Sequence, residues 1–331
     1  VDSRAAIVGG RNLADEYFGN HDVANFRDLE VLAAGPAIQL LSRQFDDYWN
    51  SDWSFPVDDL IDLEPVMSPA QYEARILATV ERGLNEDGAL RGQVWRTTAG
   101  AAVAGEVLVY ADRPAEDNPA AADELPIQLS KEIIAWIESA NEELILVSAY
   151  LIPSPELEQT IEQAEQRGVR VRILTNSLRS NNHVVAHSAY RHHLRRLVDH
   201  GAEVHEVRVF AKDRALYMDE PVTDKHLGLH TKLLLIDNHL SFLGSANLDP
   251  RSLRLNTEVG LLIRSSKFNE LVREVVALDF HQRNAWHLQK QPDGTLHWVA
   301  DDTVLQEQPA ESTLQRLEDW FLGILPIENE M

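Results

Sequence analysis

His230 and Lys232, one residue apart, stand seven and five positions ahead of Asp237, and an apolar run then leads to Gly244, Ser245 and Asn247. Imidazole, ammonium and amide side chains in this order suit chemistry on a phosphodiester. Its anionic oxygens repel most nucleophiles. A neutral imidazole attacks phosphorus and divides one hard displacement into two through a phospho-histidine. A second histidine protonates the departing alkoxide and then activates the incoming alcohol or water. Lysine and asparagine donate to the phosphoryl oxygens as charge develops. No metal or other cofactor is needed.

The chain carries the pattern a second time, in part. Asp2, Gly9, Gly10 and Asn12 recur at the spacing of Asp237, Gly244, Ser245 and Asn247. The upstream copy begins at its Asp. Its His and Lys would fall before Val1, and an in-frame His-x-Lys six and four residues ahead would complete it, so the chain reads as N-terminally truncated. The catalytic candidates are His230, Lys232, Asn247, Glu258, Asn12 and Asp28. Glu258 is expected to hold the second ring nitrogen of His230 and fix its tautomer; Asp28 occupies the comparable place after the first copy. Gly9, Gly10, Gly244 and Ser245 let the backbone approach a phosphate, while Asp2 and Asp237 are expected to bond local backbone.

These residues need elements to hold them. Ala5–Gly9 and Leu29–Ala34 read as short strands, followed by a helix from Ala37 to Trp49; Ser241–Leu243, a strand from Glu258 and a helix from Phe268 follow in the same order. His230 and Lys232 are placed on one face of a strand. Four segments result: 1–55, the end of a first half; 56–125, a connecting segment with an acidic Ala/Pro-rich linker; 126–290, a second half of alternating strands and helices; and 291–331, a tail with an amphipathic helix. The tail's Leu314, Leu317, Phe321 and Ile324 are expected to pack on the domain, because an interfacial membrane helix usually carries Lys and Arg on its polar face and this one carries Glu318 and Asp319. The architecture is α/β, with two pseudo-symmetric halves of mixed sheet flanked by helices, the first incomplete.

Composition limits the partners. A formal charge of −23 over 331 residues repels phosphate polymers, so nucleic acid is a poor substrate, and it disfavours loose adsorption to anionic lipid. There is no cysteine, hence no disulfide or thiolate metal site. No apolar run is long enough to span a membrane, and Val-Asp-Ser-Arg lacks signal-peptide character. The histidine-rich stretch with His183 and His187 four apart reads as a hydrogen-bonded helix face rather than a zinc site. His187 and Tyr190 are placed at the border of a substrate pocket.

The chain resembles the phospholipase D superfamily. Gly9-Gly10-Arg11-Asn12 with Asp15-Glu16-Tyr17-Phe18-Gly19, Ser148-Ala149-Tyr150-Leu151-Ile152-Pro153, Leu174-Thr175-Asn176-Ser177-Leu178 and Gly244 to Ser252 are most similar to the C-type bacterial cardiolipin synthases, as are Asn256-Thr257-Glu258 and Ile324-Leu325-Pro326. The resemblance implies transfer of a phosphatidyl group between phosphatidylglycerol and phosphatidylethanolamine, giving cardiolipin. It implies peripheral association with the bacterial cytoplasmic membrane. It makes the first-copy histidine the nucleophile and His230 the general acid/base. Alternatives are a phosphodiesterase using water, a catalytically dead remnant binding lipid or protein, and a homodimer pairing two copies of His230.

Overall fold

Short apolar runs in this chain alternate with helices, and burial on both faces decides which become strands. In the computed structural model, which describes residues 3–19, 21–60, 68–75, 77, 97–112, 128–216 and 225–325, the chain divides into two compact units. One comprises Val1–Tyr48 with Gly105–Met331, the other Trp49–Ala104. In the smaller unit Val57–Leu60 forms a helical turn, and Ser68 opens another helix by exchanging hydrogen bonds with Gln71 in a capping box.

The larger unit is built on strands β1 (Ala5–Gly9), β2 (Ala24–Arg27), β3 (Glu30–Ala34), β4 (Glu106–Ala111), β5 (Glu143–Val147), β6 (Arg170–Asn176), β7 (Glu203–Val207), β8 (His226–Leu229), β9 (Leu233–Ile236), β10 (Leu240–Gly244), β11 (Val259–Arg264), β12 (Ala285–Lys290), β13 (Leu296–Val299) and β14 (Val304–Leu305). Ten of them form one mixed sheet in the order β14-β13-β12-β7-β6-β5-β9-β10-β11-β4. The central strands β5, β6 and β7 are parallel, joined by crossover helices, here α3 (Pro155–Gln166) and α4 (Val184–His200). The other helices of this unit are α1 (Ala37–Trp49), α2 (Gln128–Glu138), α5 (Pro250–Arg254), α6 (Ser266–Ala277) and α7 (Thr313–Leu322). Side-chain alternation explains the continuous apolar reading of β5. Leu144 and Leu146 enter one core with Ile133, Ile161 and Phe242, and Ile145 and Val147 enter another with Leu233, Leu235 and Phe280. Each such buried side chain contributes about 1.5–3 kcal/mol of transfer free energy.

The internal repeat is visible in the ladders. β1 pairs antiparallel with β3 from Ala5↔Ala34 to Gly9↔Glu30; β10 pairs with β11 from Leu240↔Arg264 to Gly244↔Gly260. Glycine is required at both ends of the equivalence. A Cβ on Gly9 would lie 2.7 Å from Leu29 O, and one on Gly244 would lie 2.4 Å from Val259 O.

Several expectations are corrected. β4 is the edge strand of the large sheet rather than part of a connector, and β13 and β14 extend that sheet at its other edge, so the tail is not separate. The parallel pair β2–β8, absent from the pattern reading, joins the early segment to the strand leading into His230. His230, Thr231 and Lys232 lie between β8 and β9, not on a strand. The tail helix docks by its polar side: Asp319 is 1% exposed, whereas Leu314, Leu317 and Phe321 are 72%, 58% and 58% exposed. Linker residues 113–125 and Asp2 lie outside the described residues.

Candidate active site

Parallel pairing of β8 with β2 runs out at Arg27↔Leu229, and the chain bends into His230-Thr231-Lys232. The bend is fixed from the neighbouring strand: His230 N–H donates to the Arg27 carbonyl at 2.8 Å, and the Thr231 hydroxyl donates to the same oxygen at 3.3 Å. Arg27 is anchored in turn by Asp279, through a buried two-point contact at 3.3 and 3.4 Å. Immediately after Arg27, Asp28 places Oδ2 at 3.0 Å from His230 Nδ1, with Oδ1 accepting the Leu29 N–H at 2.8 Å.

That contact assigns the tautomer. A carboxylate oxygen only accepts, so Nδ1 carries the proton and Nε2 presents its lone pair. Burial holds the His230 imidazole below its ordinary range, opposed by the hydrogen bond it donates to Asp28 and assisted by the charge of Lys232. The ring is therefore neutral near pH 7. Tyr17 meets it edge-on at 4.8 Å between centroids, and Phe26 lies at 5.6 Å. Asn12 donates to the Tyr17 hydroxyl at 3.0 Å, so this residue of the upstream copy supports the ring that packs on His230.

Lys232 lies between the two halves. It is 3% exposed, its ammonium donates to the His230 carbonyl at 2.6 Å, and a Cβ on Gly10 would approach its Cδ to 2.8 Å. Burial lowers its pKa to about 8, while Asp28, Glu258 and Asp249 pull it upward. The ammonium is thus charged at neutral pH and poorly hydrated, which strengthens its hold on a phosphoryl oxygen.

Glu258 does not touch His230, contrary to expectation. Its carboxylate accepts from the Ser245 hydroxyl and from Asn256 Nδ2 at 3.2 Å, and its backbone N–H donates to Asp112 Oδ2 at 2.9 Å. Register accounts for the difference. Asp28 stands two residues before Glu30, and Glu258 two before Gly260, the equivalent ladder positions. The acids are pseudo-symmetry mates, and the one from the opposite half reaches His230. Asn247 follows the Gly244–Ser245 turn with its buried Oδ1 free of any partner among the described residues. Asp237, with φ of 49°, accepts from the N–H groups of Asn141, Glu142 and Glu143. Burial opposes its ionisation, yet these donors together hold its carboxyl below the ordinary value. Its role is to tie β9–β10 to the start of β5, not to bond its own turn.

Comparison with known proteins bears on this geometry. Residues 133–279 match the family described as "Cardiolipin synthase, PLD-like domain". The match gives these residues the character of a phospholipase D-like domain. It is 28% identical to cardiolipin synthase C of Escherichia coli, over 99% of this chain and 71% of that protein. It is 29% identical to cardiolipin synthase A of Pseudomonas syringae over 85% of this chain, spanning less than half, 46%, of that relative's length. The fold is similar to the phosphatidylserine synthase structure from Haemophilus influenzae, with a TM-score of 0.59 at 16% identity, covering 98% of this chain and 67% of that one.

Two predicted residues sit elsewhere in this phospholipase D fold. His187 and Tyr190 are buried, and each meets a carboxylate. His187 Nδ1 lies 2.8 Å from Asp319 Oδ1, and the Tyr190 hydroxyl donates to Glu206 Oε1 at 3.1 Å. Trp298 Nε1 donates to the other Glu206 oxygen at 2.8 Å. Residues the spacing argument missed are Tyr17, Phe26 and Asp112. Only Tyr17 had a sequence signal, as the last polar aromatic in Asp15-Glu16-Tyr17, adjacent to the upstream Gly-Gly-x-Asn.

Proposed function

We propose that this chain supplies the proton-handling half-site of a phosphatidyltransferase that makes cardiolipin from phosphatidylglycerol and phosphatidylethanolamine. The observation that carries the reading is the Asp28–His230 contact across the two repeated ladders. The phospho-histidine forms on an imidazole paired with Glu258, as its equivalence to Asp28 implies, while protonated His230 gives its Nε2 proton to the leaving alkoxide. Neutral His230 then takes the proton of the acceptor hydroxyl as that oxygen displaces the phospho-histidine; Asp28 stabilises the imidazolium, and Lys232 and Asn247 hold the phosphoryl oxygens. Among the described residues no histidine occupies the place beside Glu258. The relatives named cardiolipin synthase support the lipid class and a site worked at a membrane surface.

Incubating the purified chain with both lipids tests this, alone and extended by a His-x-Lys segment at the motif spacing. Cardiolipin as product supports the transferase. Phosphatidic acid alone would replace it with a hydrolase. No product from either protein would leave a lipid-binding remnant. Mass in solution beside the activity of His230→Ala tests the homodimer.

A further inference from the structure

β8 has a ladder partner on one side only. β2 takes that side, and the peptide groups of Leu229 point the other way, into a buried region where Leu229 is 1% exposed. Buried N–H and C=O groups need partners, and among the described residues no strand pairs with β8 on that side.

Asn176 supplies both. At the end of β6 and itself 1% exposed, it accepts the Leu229 N–H through Oδ1 at 2.8 Å and donates to the Leu229 carbonyl through Nδ2 at 2.8 Å. An asparagine amide has the donor and acceptor of a peptide, so one side chain replaces one rung of a sheet. The same Nδ2 donates to the Ala149 carbonyl at 3.0 Å, and the Ser180 hydroxyl donates to Oδ1 at 3.0 Å. The four bonds fix the amide's orientation, because a reversed amide would set its oxygen against two carbonyls. Ala149 lies within a segment where the Ser148 hydroxyl receives the Leu248 N–H at 3.0 Å, next to Asn247. Asn176 therefore joins the residue before His230 to the segment supporting the Asn247 turn.

We propose that Asn176 is a positioning residue that sets His230 against Asp28 and against the phosphate-side donors. The role rests on His230 being the proton-handling group. The Leu-Thr-Asn-Ser-Leu motif around it thereby acquires a physical task. Its buried Ser177 and the nearby buried Ser180 complete the support, Ser177 Oγ donating to the Val207 carbonyl at 2.7 Å.

Histidine-labelled full-length chain, followed by NMR across pH, tests this without requiring turnover. The His230 signal is assigned by its loss in His230→Gln. Asn176→Ala and Asn176→Asp are expected to shift the His230 titration by about half a unit or more and to weaken its low-field Nδ1 proton. Ser180→Ala is expected to shift it less, in the same direction. Leu157→Ala, a core truncation in α3, leaves it in place. A folded Asn176 variant with the parental His230 signal overturns the proposal, as does Leu157→Ala moving that signal equally. If neither Asn176 variant folds, an unchanged His230 in Ser180→Ala overturns it. Absence of lipid turnover in both the parent and the extended chain would sink the transferase reading and leave the ring measurement to decide on Asn176.

Discussion

Asp28 Oδ2 lies 3.0 Å from Nδ1 of His230, a contact that spans 202 positions of the chain and crosses from one repeated ladder to the other. It makes the acid of the first half the orienting partner of the histidine of the second. Asp28→Asn removes both the charge and the strong acceptor that favour the imidazolium, so the His230 titration is expected to fall further, by about one unit. Glu258→Gln is expected to leave it unchanged. An NMR titration showing the reverse ranking would restore the pairing read from sequence.

Phosphodiester turnover is expected to have two limbs. His230 must be neutral to take a proton, and its depressed value keeps it neutral down to below the ordinary histidine range. Lys232 must be charged, and it loses its proton near pH about 8. The rate therefore falls on the acid side only below the ordinary histidine range, and on the alkaline side above about 8. In Lys232→Met the alkaline limb disappears along with most of the rate. A pH–rate profile that keeps that limb in Lys232→Met would assign it to another group.

Gly10 contributes by having no side chain. A Cβ there would meet Lys232 Cδ at 2.8 Å, and Lys232 is too buried to swing away. Gly10→Ala is expected to lower turnover roughly ten-fold or more while costing under about 1 kcal/mol of stability, since it displaces the ammonium rather than the core. Denaturation midpoints measured beside initial rates separate the two effects. A parental rate would show that Lys232 need not hold its place.

Much of this site was legible in the residues, because the Gly-Gly-x-Asn and Gly-Ser-x-Asn copies mark equivalent ladder ends. The partner of His230 was not. Asp28 and Glu258 are equivalent by spacing, and only the β2–β8 pairing brings Asp28 across. That pairing was hidden because Ala-Asn-Phe-Arg and His-Leu-Gly-Leu are four residues each, too short for a period to show. His187 and Tyr190 were read at the border of a substrate pocket, and nothing in their spacing says what covers them. The covering helix defeats apolar periodicity, since its inward residue is Asp319 and its apolar stripe faces outward.

Under that helix, Glu206 is fully buried, and burial raises its carboxyl to about 7 despite the pull of His187 and the bonds from Trp298 and Tyr190. The unfolded chain ionises this group near pH 4.5, so stability is intact below that value and falls as pH rises through about 7. Glu206→Gln keeps an acceptor for Trp298 and removes this loss. It is expected to be more stable than the parent at pH 8, by up to about 3 kcal/mol, with little difference at pH 4.5. Urea midpoints at the two pH values measure it, and an equal difference at both would remove ionisation as the cause.

The preceding residue of β7 carries the opposite dependence. His205 points to the other face of the sheet, 4.0 Å from the His287 ring and 5.0 Å from Phe280, and neither of its ring nitrogens has a partner among the described residues. Burial depresses it to about 2, so the native state refuses a proton that the unfolded chain binds near pH 6.5. Its contribution is present above that value and is lost as pH falls. His205→Phe keeps the edge-on packing and deletes two unsatisfied buried nitrogens. A gain of about 2 kcal/mol is expected at pH 5 and about 1 or less at pH 7.5. Between pH 4.5 and 6.5 the two dependences cancel in the parent chain, so each single variant should acquire a slope there, of opposite sign, that the double variant His205→Phe/Glu206→Gln lacks. Midpoints from pH 4.5 to 6.5 decide it, and single variants that keep the parental pH curve would remove these two ionisations as the cause.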